Sequence, residues 1–344
     1  MTQSTFSAPA TRTALIIGAM GSFGAHAAQA LLKHGWRIRA LTRDPQKAAK
    51  DAGARTPIDW VRGDALNPSA VTNAADGVQL IVHAANPPRY RNWKGTVVPM
   101  LESAIAAARA SGARLILPGC VYNYAPDLGP EIGEDARQDP VTRKGAIRVA
   151  AERRLREVAD EGVKVLILRA GDFFGPAAPN SGLGWLVTQS GGRMTGVYQP
   201  GPDAVGHAFA YLPDLAETLA RLVDAEDQLA TFERFHFRGH WLTRNDTLGQ
   251  AIRRVSGQPR LPVKAFPWPL VWAASPFDET FRELWEMRYL WRRPIGLSNA
   301  KLVAFLGGEP HTPLDAGLAA ALSDMGLLEG AKAERNMTLT PTHA

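Results

Sequence analysis

The stretch ALIIGAMGSFG, residues Ala14–Gly24, decides the fold of this chain. An apolar run breaks into three glycines, Gly18, Gly21 and Gly24, which are spaced three residues apart. An alanine-rich segment, residues 25–33, follows directly. This order predicts a strand, a tight turn and a helix.

The three glycines suit a turn that binds a dinucleotide, with a plain tight turn as the alternative. Gly18 lets the backbone turn sharply after the strand, and Gly24 lets the helix lie close to the strand. Gly21 removes a Cβ where a pyrophosphate must approach, and the first free N–H groups of the helix face the phosphates. The predicted cofactor contacts here are the three glycines together with Ser22 and Phe23.

The composition is that of a chain that buries a large core. Of its 344 residues, 45% are hydrophobic, which suffices for one large or two closely packed domains. The formal net charge of +6 arises from 39 basic and 33 acidic residues spread along the chain. An anionic cofactor explains this excess at least as well as nucleic acid does, and no zinc-ligand spacing is present. We therefore expect a small-molecule substrate, no nucleic-acid partner and no metal site.

The cysteine content and the chain ends indicate the cellular environment. The single cysteine, Cys120, excludes an internal disulfide and suits a reducing cytosol. Residues 1–12 lack the apolar centre of a signal peptide, and no apolar run reaches membrane-spanning length. We expect a soluble, cytoplasmic protein without a membrane partner, with flexible tails at 1–12 and 331–344.

Strands alternate with helices through the first two thirds of the chain. The alternation predicts an α/β fold, a Rossmann-type doubly wound parallel sheet with helices on both faces. The dinucleotide-binding domain spans 13–176, and residues 207–240 return to it. Residues 177–206 and 241–330 fit the sheet pattern badly and form a smaller, discontinuous C-terminal substrate lobe. The predicted strands are Ala14–Ile17, Trp36–Leu41, Ile58–Arg62, Val78–His83, Arg114–Leu117, Val163–Arg169 and Arg234–Phe237.

The residues that follow the second strand favour NADP over NAD as the cofactor. An NAD site usually has an acid there, whereas Arg43 can pair with a 2′-phosphate; a solvated loop arginine is the alternative. After the third strand, Asp64, beside Ala65, can accept a hydrogen bond from the adenine amino group or can simply form a turn. Small residues after the fourth strand let the cofactor lie against the backbone, and the predicted contacts there are Ala84, Ala85 and Asn86.

Taken together, these segments resemble the short-chain dehydrogenase/reductase superfamily, in particular its extended, NAD-dependent epimerase/dehydratase-like branch. The resemblance covers most of the chain and includes two later motifs, LRAGDFFGP at 168–176 and AFAYLPDLA at 208–216. It implies that Phe173 and Phe174 border the nicotinamide and that the second lobe binds substrate. Pro118, in the segment after the fifth strand, joins the cofactor contacts that the resemblance implies.

The catalytic residues of that family are where this chain departs from the resemblance. Active members carry a serine or threonine after the fifth strand and Tyr-x-x-x-Lys on the next helix. Here residues 117–124 contain neither serine nor threonine, and Lys144 and Arg148 stand at the tyrosine and lysine positions. Because residues at i and i+4 share a helix face, both cations are expected to point toward the nicotinamide ribose.

Three roles are open for Lys144 and Arg148. Burial and the neighbouring charge of Arg148 are expected to lower the pKa of Lys144, so that Lys144 protonates an alkoxide or stabilises it as an oxyanion. The two cations can instead hold ribose hydroxyls or a substrate phosphate. In the third case Arg148 pairs with Glu152 on the surface.

Five further side chains are candidates because they lie near predicted strand ends at the crevice. Tyr122 is a second candidate proton donor, although such tyrosines more often pack with a solvated hydroxyl. The candidates for substrate contact are Tyr124, Asp172, His207 and Tyr211.

The second lobe contains four tryptophans between residues 268 and 291. Phe281, Trp285 and Tyr289 repeat at i, i+4 and i+8, which predicts an aromatic helix face. Such a face is core or a dimer contact, or a roof over an apolar or aromatic substrate. A membrane-surface role ranks third, because the prolines of this segment exclude a long interfacial helix.

We therefore predict an NADP-dependent oxidoreductase that reduces a carbonyl or oxidises an alcohol of a small, apolar or aromatic molecule. A non-catalytic NADP-binding sensor is the alternative, because the family's serine or threonine and its tyrosine are absent. A sugar-nucleotide epimerase or dehydratase ranks third, since that chemistry uses the missing tyrosine base. By analogy with the family, a homodimer would pair through helices 97–111 and 142–161.

Overall fold

The computed structural model describes residues 12–53, 57–87, 92–178 and 181–328, and strands alternate with helices through its first half. The elements are β1 (Thr13–Ile17), α1 (Ser22–Lys33), β2 (Arg37–Thr42), α2 (Pro45–Ala52), β3 (Ile58–Arg62), α3 (Pro68–Ala74), β4 (Leu80–His83), α4 (Trp93–Ser111), β5 (Arg114–Cys120), α5 (Arg143–Asp160) and β6 (Val165–Ala170).

Shorter elements make up the second half. They are β7 (Asp172–Phe174), α6 (Gly182–Leu186), β8 (Val187–Ser190), β9 (Arg193–Gln199), β10 (His207–Tyr211), α7 (Leu212–Asp224), β11 (Phe232–His236), β12 (His240–Leu242), α8 (Asp246–Ser256), β13 (Val263–Ala265), α9 (Trp268–Ala274), α10 (Glu279–Met287), α11 (Ala300–Leu306) and α12 (Leu314–Asp324).

Seven strands form the main sheet, in the order β11-β6-β5-β4-β1-β2-β3. Every neighbouring pair is parallel, which confirms the predicted Rossmann-type α/β fold. The strand order reverses between β1 and β4, and ligands of open parallel sheets bind at such a point, outside the carboxyl ends of the strands.

The alternation of side chains along β1 supplies two hydrophobic cores, one on each face of the sheet. Ala14 and Ile16 pack in one buried cluster, and Leu15 and Ile17 pack in the other. A strand buried on both faces explains why this stretch is continuously apolar.

Two small sheets lie outside the main sheet, with strand orders β12-β10-β7 and β13-β9-β8. Their strands have three to seven residues. None of these strands is predicted from the sequence, because most of them are too short to show a clear alternation of apolar and polar residues. Helix α4 begins at Trp93, ahead of the predicted start at residue 97.

Helix starts in the main domain follow from capping side chains. Thr142 precedes α5, and its hydroxyl accepts a hydrogen bond from Gly145 N at 3.1 Å. Asp44 caps α2 in the same way through Lys47 N at 3.0 Å. Each cap satisfies an amide that has no partner within its helix.

The predicted tails lie outside the described residues, apart from Arg12. Within the ranges that the structure describes, no helix combines the length and the hydropathy needed to cross a bilayer.

Candidate cofactor and substrate site

The glycine turn between β1 and α1 is built by close backbone approach. Gly18 has a φ of +95°, and a Cβ there would lie 2.7 Å from Ala85 N, after β4. A Cβ on Gly24 would lie 2.2 Å from Gly18 O. Neither position accepts a side chain, because real Cβ atoms do not approach other atoms so closely.

The start of α1 has the properties of an anion site. Gly21 precedes the helix and is exposed, and a Cβ there would meet only Gly18 O, at 3.2 Å. The first turn, which begins at Ser22, contains no acidic residue. Phe23 is buried and stacks on Phe173, with ring centroids 6.2 Å apart. A helix start with an exposed glycine before it and no acidic residue in its first turn suits a pyrophosphate.

Two arginines lie at the carboxyl edge of β2 and β3. Arg43 is exposed, and its side chain makes no ion pair within the described part of the chain. The adjacent Asp44 is engaged as the cap of α2. The register pairs Thr42 with Arg62, which sequence reasoning missed and which is exposed at the same edge.

Asp64 has the geometry of a turn residue. Its carboxylate accepts a hydrogen bond from Leu66 N at 2.9 Å, which supports the turn alternative. Asp64 is exposed and Ala65 is half-buried, so both keep some surface beside the β3 end.

Arg148 is buried and faces the end of β4. Its Nη2 donates to Asn86 Oδ1 at 2.9 Å, and its guanidinium lies 5.0 Å from the centre of the Trp93 ring. Glu152 binds Arg169 instead, at 2.6 and 2.8 Å. The third alternative, a surface pair between Arg148 and Glu152, is therefore excluded, because the Glu152 carboxylate is buried against Arg169.

Lys144 lies one turn before Arg148 on the same face of α5 and is only 1% exposed. Its Nζ lies 5.4 Å from the centre of the Trp93 ring and 3.8 Å from the Glu283 carboxylate of α10. Burial lowers the pKa of Lys144 to about 7, and the carboxylates of Glu283 and Glu286 oppose that shift. Burial, rather than the expected charge of Arg148, is the main cause.

Close packing brings Tyr122 beside Lys144. A Cβ on Gly145 would lie 2.3 Å from Tyr122 O, so this glycine lets α5 approach the loop after β5. Tyr122 and Lys144 line the same cavity, which is partly open to solvent.

The wall of this cavity is mainly apolar and aromatic. Its polar side chains are those of Tyr122, Lys144, Asp172 and Thr280, and tryptophan indoles form part of the rest. The larger apolar side chains are Trp185, Leu186, Phe266, Trp268, Leu284, Met287, Leu290 and Trp291. A cavity with this lining suits a small molecule with substantial apolar surface.

Asp172 and His207 form a pair at the edge of the cavity. His207 Nε2 lies 2.9 Å from Asp172 Oδ2, and His207 Nδ1 lies 3.1 Å from Leu290 O. The imidazole stacks on Trp291 at 3.5 Å with nearly parallel planes. Asp172 therefore lines the cavity. His207 binds Asp172 and lines a separate, smaller crevice.

The sequence profile of the NAD dependent epimerase/dehydratase family matches residues 14–235. The chain belongs to this family. Membership agrees with the parallel sheet and with the glycine turn between β1 and α1, and it confirms the resemblance drawn from the sequence.

Solved structures of the family superpose on nearly the whole chain. One is MoeE5 in complex with UDP-glucose and NAD, with a TM-score of 0.69, 18% identity, and coverage of 94% of this chain and 99% of MoeE5. Another is a double mutant of DesIV, a dTDP-glucose 4,6-dehydratase from Streptomyces venezuelae, with NAD and DAU bound. Its TM-score is 0.71 at 20% identity, over 90% of this chain and 96% of that one. At such identities the likeness establishes the fold alone.

A curated relative is the ceramide reductase of Caulobacter vibrioides (strain NA1000 / CB15N). The two sequences are 34% identical over 130 residues, which is 35% of this chain and 40% of that protein. The match thus spans less than half of the relative's length.

Several predicted contacts lie away from the cavity. Tyr124 is fully buried, and its hydroxyl lies 3.0 Å from His236 Nε2. Phe174 and Tyr211 pack against each other in the core, with ring centroids 5.2 Å apart. These placements contradict the expected ligand contacts of the three side chains, because packing partners cover them. Pro118 lies within β5, opposite Leu168, and does not line the described cavity.

The aromatic residues predicted to share one helix face over residues 281–289 do not form the wall of the cavity. Helix α10 presents Thr280, Leu284 and Met287 to the cavity, while Phe281 is exposed. The guanidinium of Arg288 lies over the Trp285 ring, 3.5 Å from the ring centre. The side of α10 that lines the cavity is therefore different from the side that carries Phe281 and Trp285.

Sequence reasoning missed two residues that set the surroundings of Lys144. Trp93 underlies both cations, and Glu283 faces Lys144 from the second lobe. Glu283 is noticeable in the sequence as an acidic residue among aromatic ones. The sequence near Glu283 does not indicate that it contacts Lys144.

Proposed function

We propose that this protein is an NADP-dependent oxidoreductase that reduces a carbonyl, or oxidises the corresponding alcohol, on a small molecule with a large apolar part. One observation supports this proposal most directly: a buried lysine, Lys144, lines an otherwise largely apolar and aromatic cavity. An ammonium group in such a wall has a task that packing does not explain.

The residues at the crevice fit a dinucleotide. Gly18 and Gly24 leave no room for side chains in the turn, and Gly21 leaves its outer side open. The first amides of α1 would hold the pyrophosphate, and Arg43 with Arg62 would hold a 2′-phosphate. When bound, the nicotinamide supplies or accepts a hydride.

Lys144 is the proposed proton donor in the reducing direction. With a pKa of about 7, its ammonium form can release a proton near neutral pH. The N–H bond of Lys144 breaks as a new O–H bond forms on the substrate oxygen. In the oxidising direction, neutral Lys144 takes the hydroxyl proton. Arg148, held by Asn86, keeps a positive charge one turn away.

Tyr122 and Asp172 are proposed to orient the substrate. Both line the cavity with Lys144, and they are two of its few polar side chains. Tyr122 can donate a hydrogen bond, and Asp172 can accept one from a hydroxyl or amide of the substrate.

The lining favours an apolar substrate over a sugar nucleotide. Tryptophan, phenylalanine and leucine side chains offer few hydrogen bonds to a sugar or a diphosphate. The partial likeness to a ceramide reductase supports the same class, a carbonyl compound with long apolar chains.

Cofactor titration and turnover test the proposal. The purified protein should quench or enhance NADPH fluorescence at micromolar concentrations and bind NADH more weakly. It should then oxidise NADPH in the presence of at least one member of a panel of long-chain ketones and aldehydes. Equally weak, millimolar binding of both cofactors would refute the proposal. Tight NADPH binding with no oxidation across the panel would favour the sensor alternative.

A further inference from the structure

Twelve consecutive residues of the second lobe, 266–277, contain no charged side chain. This segment, FPWPLVWAASPF, includes helix α9 and the turn before α10. Three of its large apolar side chains are strongly exposed: Leu270 at 71%, Trp272 at 60% and Phe277 at 90%. Such a contiguous set of exposed apolar side chains is typical of a surface that contacts something else.

The same segment has a second, buried face. Phe266 and Trp268 line the cavity that holds Lys144, and Val271 is buried. Trp185 lines that cavity as well and is 44% exposed, so the cavity wall reaches the surface there. The exposed apolar face and the apolar cavity are therefore two sides of one structural unit.

Exposed cations border this unit. Lys264 comes just before the segment, and Arg292 and Arg293 follow the cavity residue Trp291. Among the described residues, none of these three cations forms an ion pair. Their charge is thus available to an anionic partner, as is the net charge of +6 of the whole chain.

We propose that residues 266–277 dock the protein onto the surface of an anionic lipid bilayer. Leu270, Trp272 and Phe277 would enter the interface between headgroups and acyl chains, where tryptophan is favoured. Lys264, Arg292 and Arg293 would lie against the anionic headgroups. Resting on the proposed function, the docked state brings the cavity mouth to membrane-borne carbonyl lipids.

A bilayer fits this face better than a second copy of the chain does. Helix α9 has seven residues and α10 has nine, and three prolines lie in the segment. Individual side chains can enter an interface from such short elements, so a long amphipathic helix is unnecessary. The cations Lys264, Arg292 and Arg293 near the segment also suit anionic headgroups better than a second copy of a chain with a net charge of +6.

Vesicle co-sedimentation tests the docking surface without any cofactor or substrate. Wild-type protein should bind vesicles of phosphatidylcholine containing phosphatidylglycerol more strongly than vesicles of pure phosphatidylcholine. The double variant Trp272→Glu/Phe277→Glu should lose about tenfold or more in affinity for the mixed vesicles, because two charges would enter the interface. A matched variant, Val303→Glu, changes another exposed apolar residue, 39% exposed on α11, and should bind as the wild type does.

Two outcomes would overturn docking. One is wild-type protein that stays in the supernatant with both vesicle types. The other is equal vesicle affinity of the wild type and the double variant, with circular dichroism showing that both are folded. A third outcome is a wild-type dimer that does not bind vesicles and that dissociates in the double variant. This result would show that a second copy of the chain, and not a bilayer, contacts the face. Oxidation of NADPH with a soluble ketone is measured in parallel, so a failure of docking is distinguishable from a failure of the proposed function.

Discussion

The Nζ atom of Lys144 lies 3.8 Å from a carboxylate oxygen of Glu283. Lys144 belongs to α5 of the nucleotide-binding domain, and Glu283 belongs to α10 of the second lobe. Both side chains are buried, and burial raises the pKa of Glu283 as it lowers that of Lys144. This contact joins the proposed proton donor to the helix that also lines the substrate cavity.

Replacing Lys144 with methionine should abolish turnover and spare the fold. Methionine fills a similar volume without a proton to donate, so kcat should fall by about 10²- to 10⁴-fold. NADPH affinity, measured by fluorescence titration, should change little. Lys144→Arg is the control that keeps the charge but cannot release the proton, and it should also be slow. Wild-type turnover in Lys144→Met would remove Lys144 from the reaction.

The reduction rate should fall as pH rises through about 7, the pKa of Lys144. The donor must be protonated in this direction, so kcat/KM is high below that pKa and declines above it. Alcohol oxidation needs neutral Lys144 and should show the opposite slope. Glu283→Gln removes a carboxylate that raises the pKa of Lys144. The pH profiles of reduction and of oxidation should therefore both move to lower pH. Unchanged pH profiles in Glu283→Gln would contradict the effect of Glu283 on the pKa of Lys144.

Gly24→Ala should impair the cofactor site. The new Cβ would lie 2.2 Å from Gly18 O, which forces α1 away from the turn. We expect a loss of about 1–3 kcal/mol in unfolding free energy and at least tenfold weaker NADPH binding. Gly133→Ala, where no atom lies within 4 Å, is the matched control for chemical denaturation and titration. Similar losses in both variants would count against the close approach.

Arg43→Ala should weaken NADPH binding by about tenfold and leave NADH binding nearly unchanged. A guanidinium at the β2 end pairs with the 2′-phosphate, which NADH lacks. Arg37→Ala changes an exposed arginine at the opposite end of β2 and serves as the control. Equal weakening of both cofactors by Arg43→Ala would show that Arg43 does not discriminate between them.

Arg169→Met should destabilise the protein by up to about 3–5 kcal/mol, because it removes the nearest cation from the buried Glu152 carboxylate, which then keeps only Arg234 at 3.6 Å and Gln138 at 2.9 Å. Urea unfolding measures the loss. The exposed pair of Arg254 and Asp315 offers a comparison, since Arg254→Met should cost less than about 1 kcal/mol. The double variant Arg169→Met/Glu152→Met should recover much of the stability. If the double variant were as unstable as Arg169→Met, the two side chains would contribute more to stability than the pairing of their charges.

The glycine turn and the strands of the main parallel sheet were predictable, because both depend on the local spacing of residues in the sequence. Gly18, Gly21 and Gly24 specify a turn through sterics within a few residues, and apolar runs specify buried strands. Lys144 was singled out by the resemblance, because aligning the long helix at Glu152 places it at the tyrosine position of the family's motif.

The roles of Phe174, Tyr124 and Tyr211 were not predictable from strand ends alone. Each follows or ends a strand near the crevice, yet its ring turns to whichever side has packing partners, here Tyr211, His236 and Phe174 respectively. A sequence position fixes where a backbone passes and leaves open which direction has room for a side chain.

By itself, the sequence determined the α/β class and the glycine turn between the first strand and helix, since these follow from residue type and short-range spacing. Only the tertiary structure decided that Lys144 is buried over Trp93, faces Glu283 and lines an apolar cavity. The physical reason is that burial and the pKa it sets depend on segments far apart in the chain, which meet only when the second lobe packs against the first.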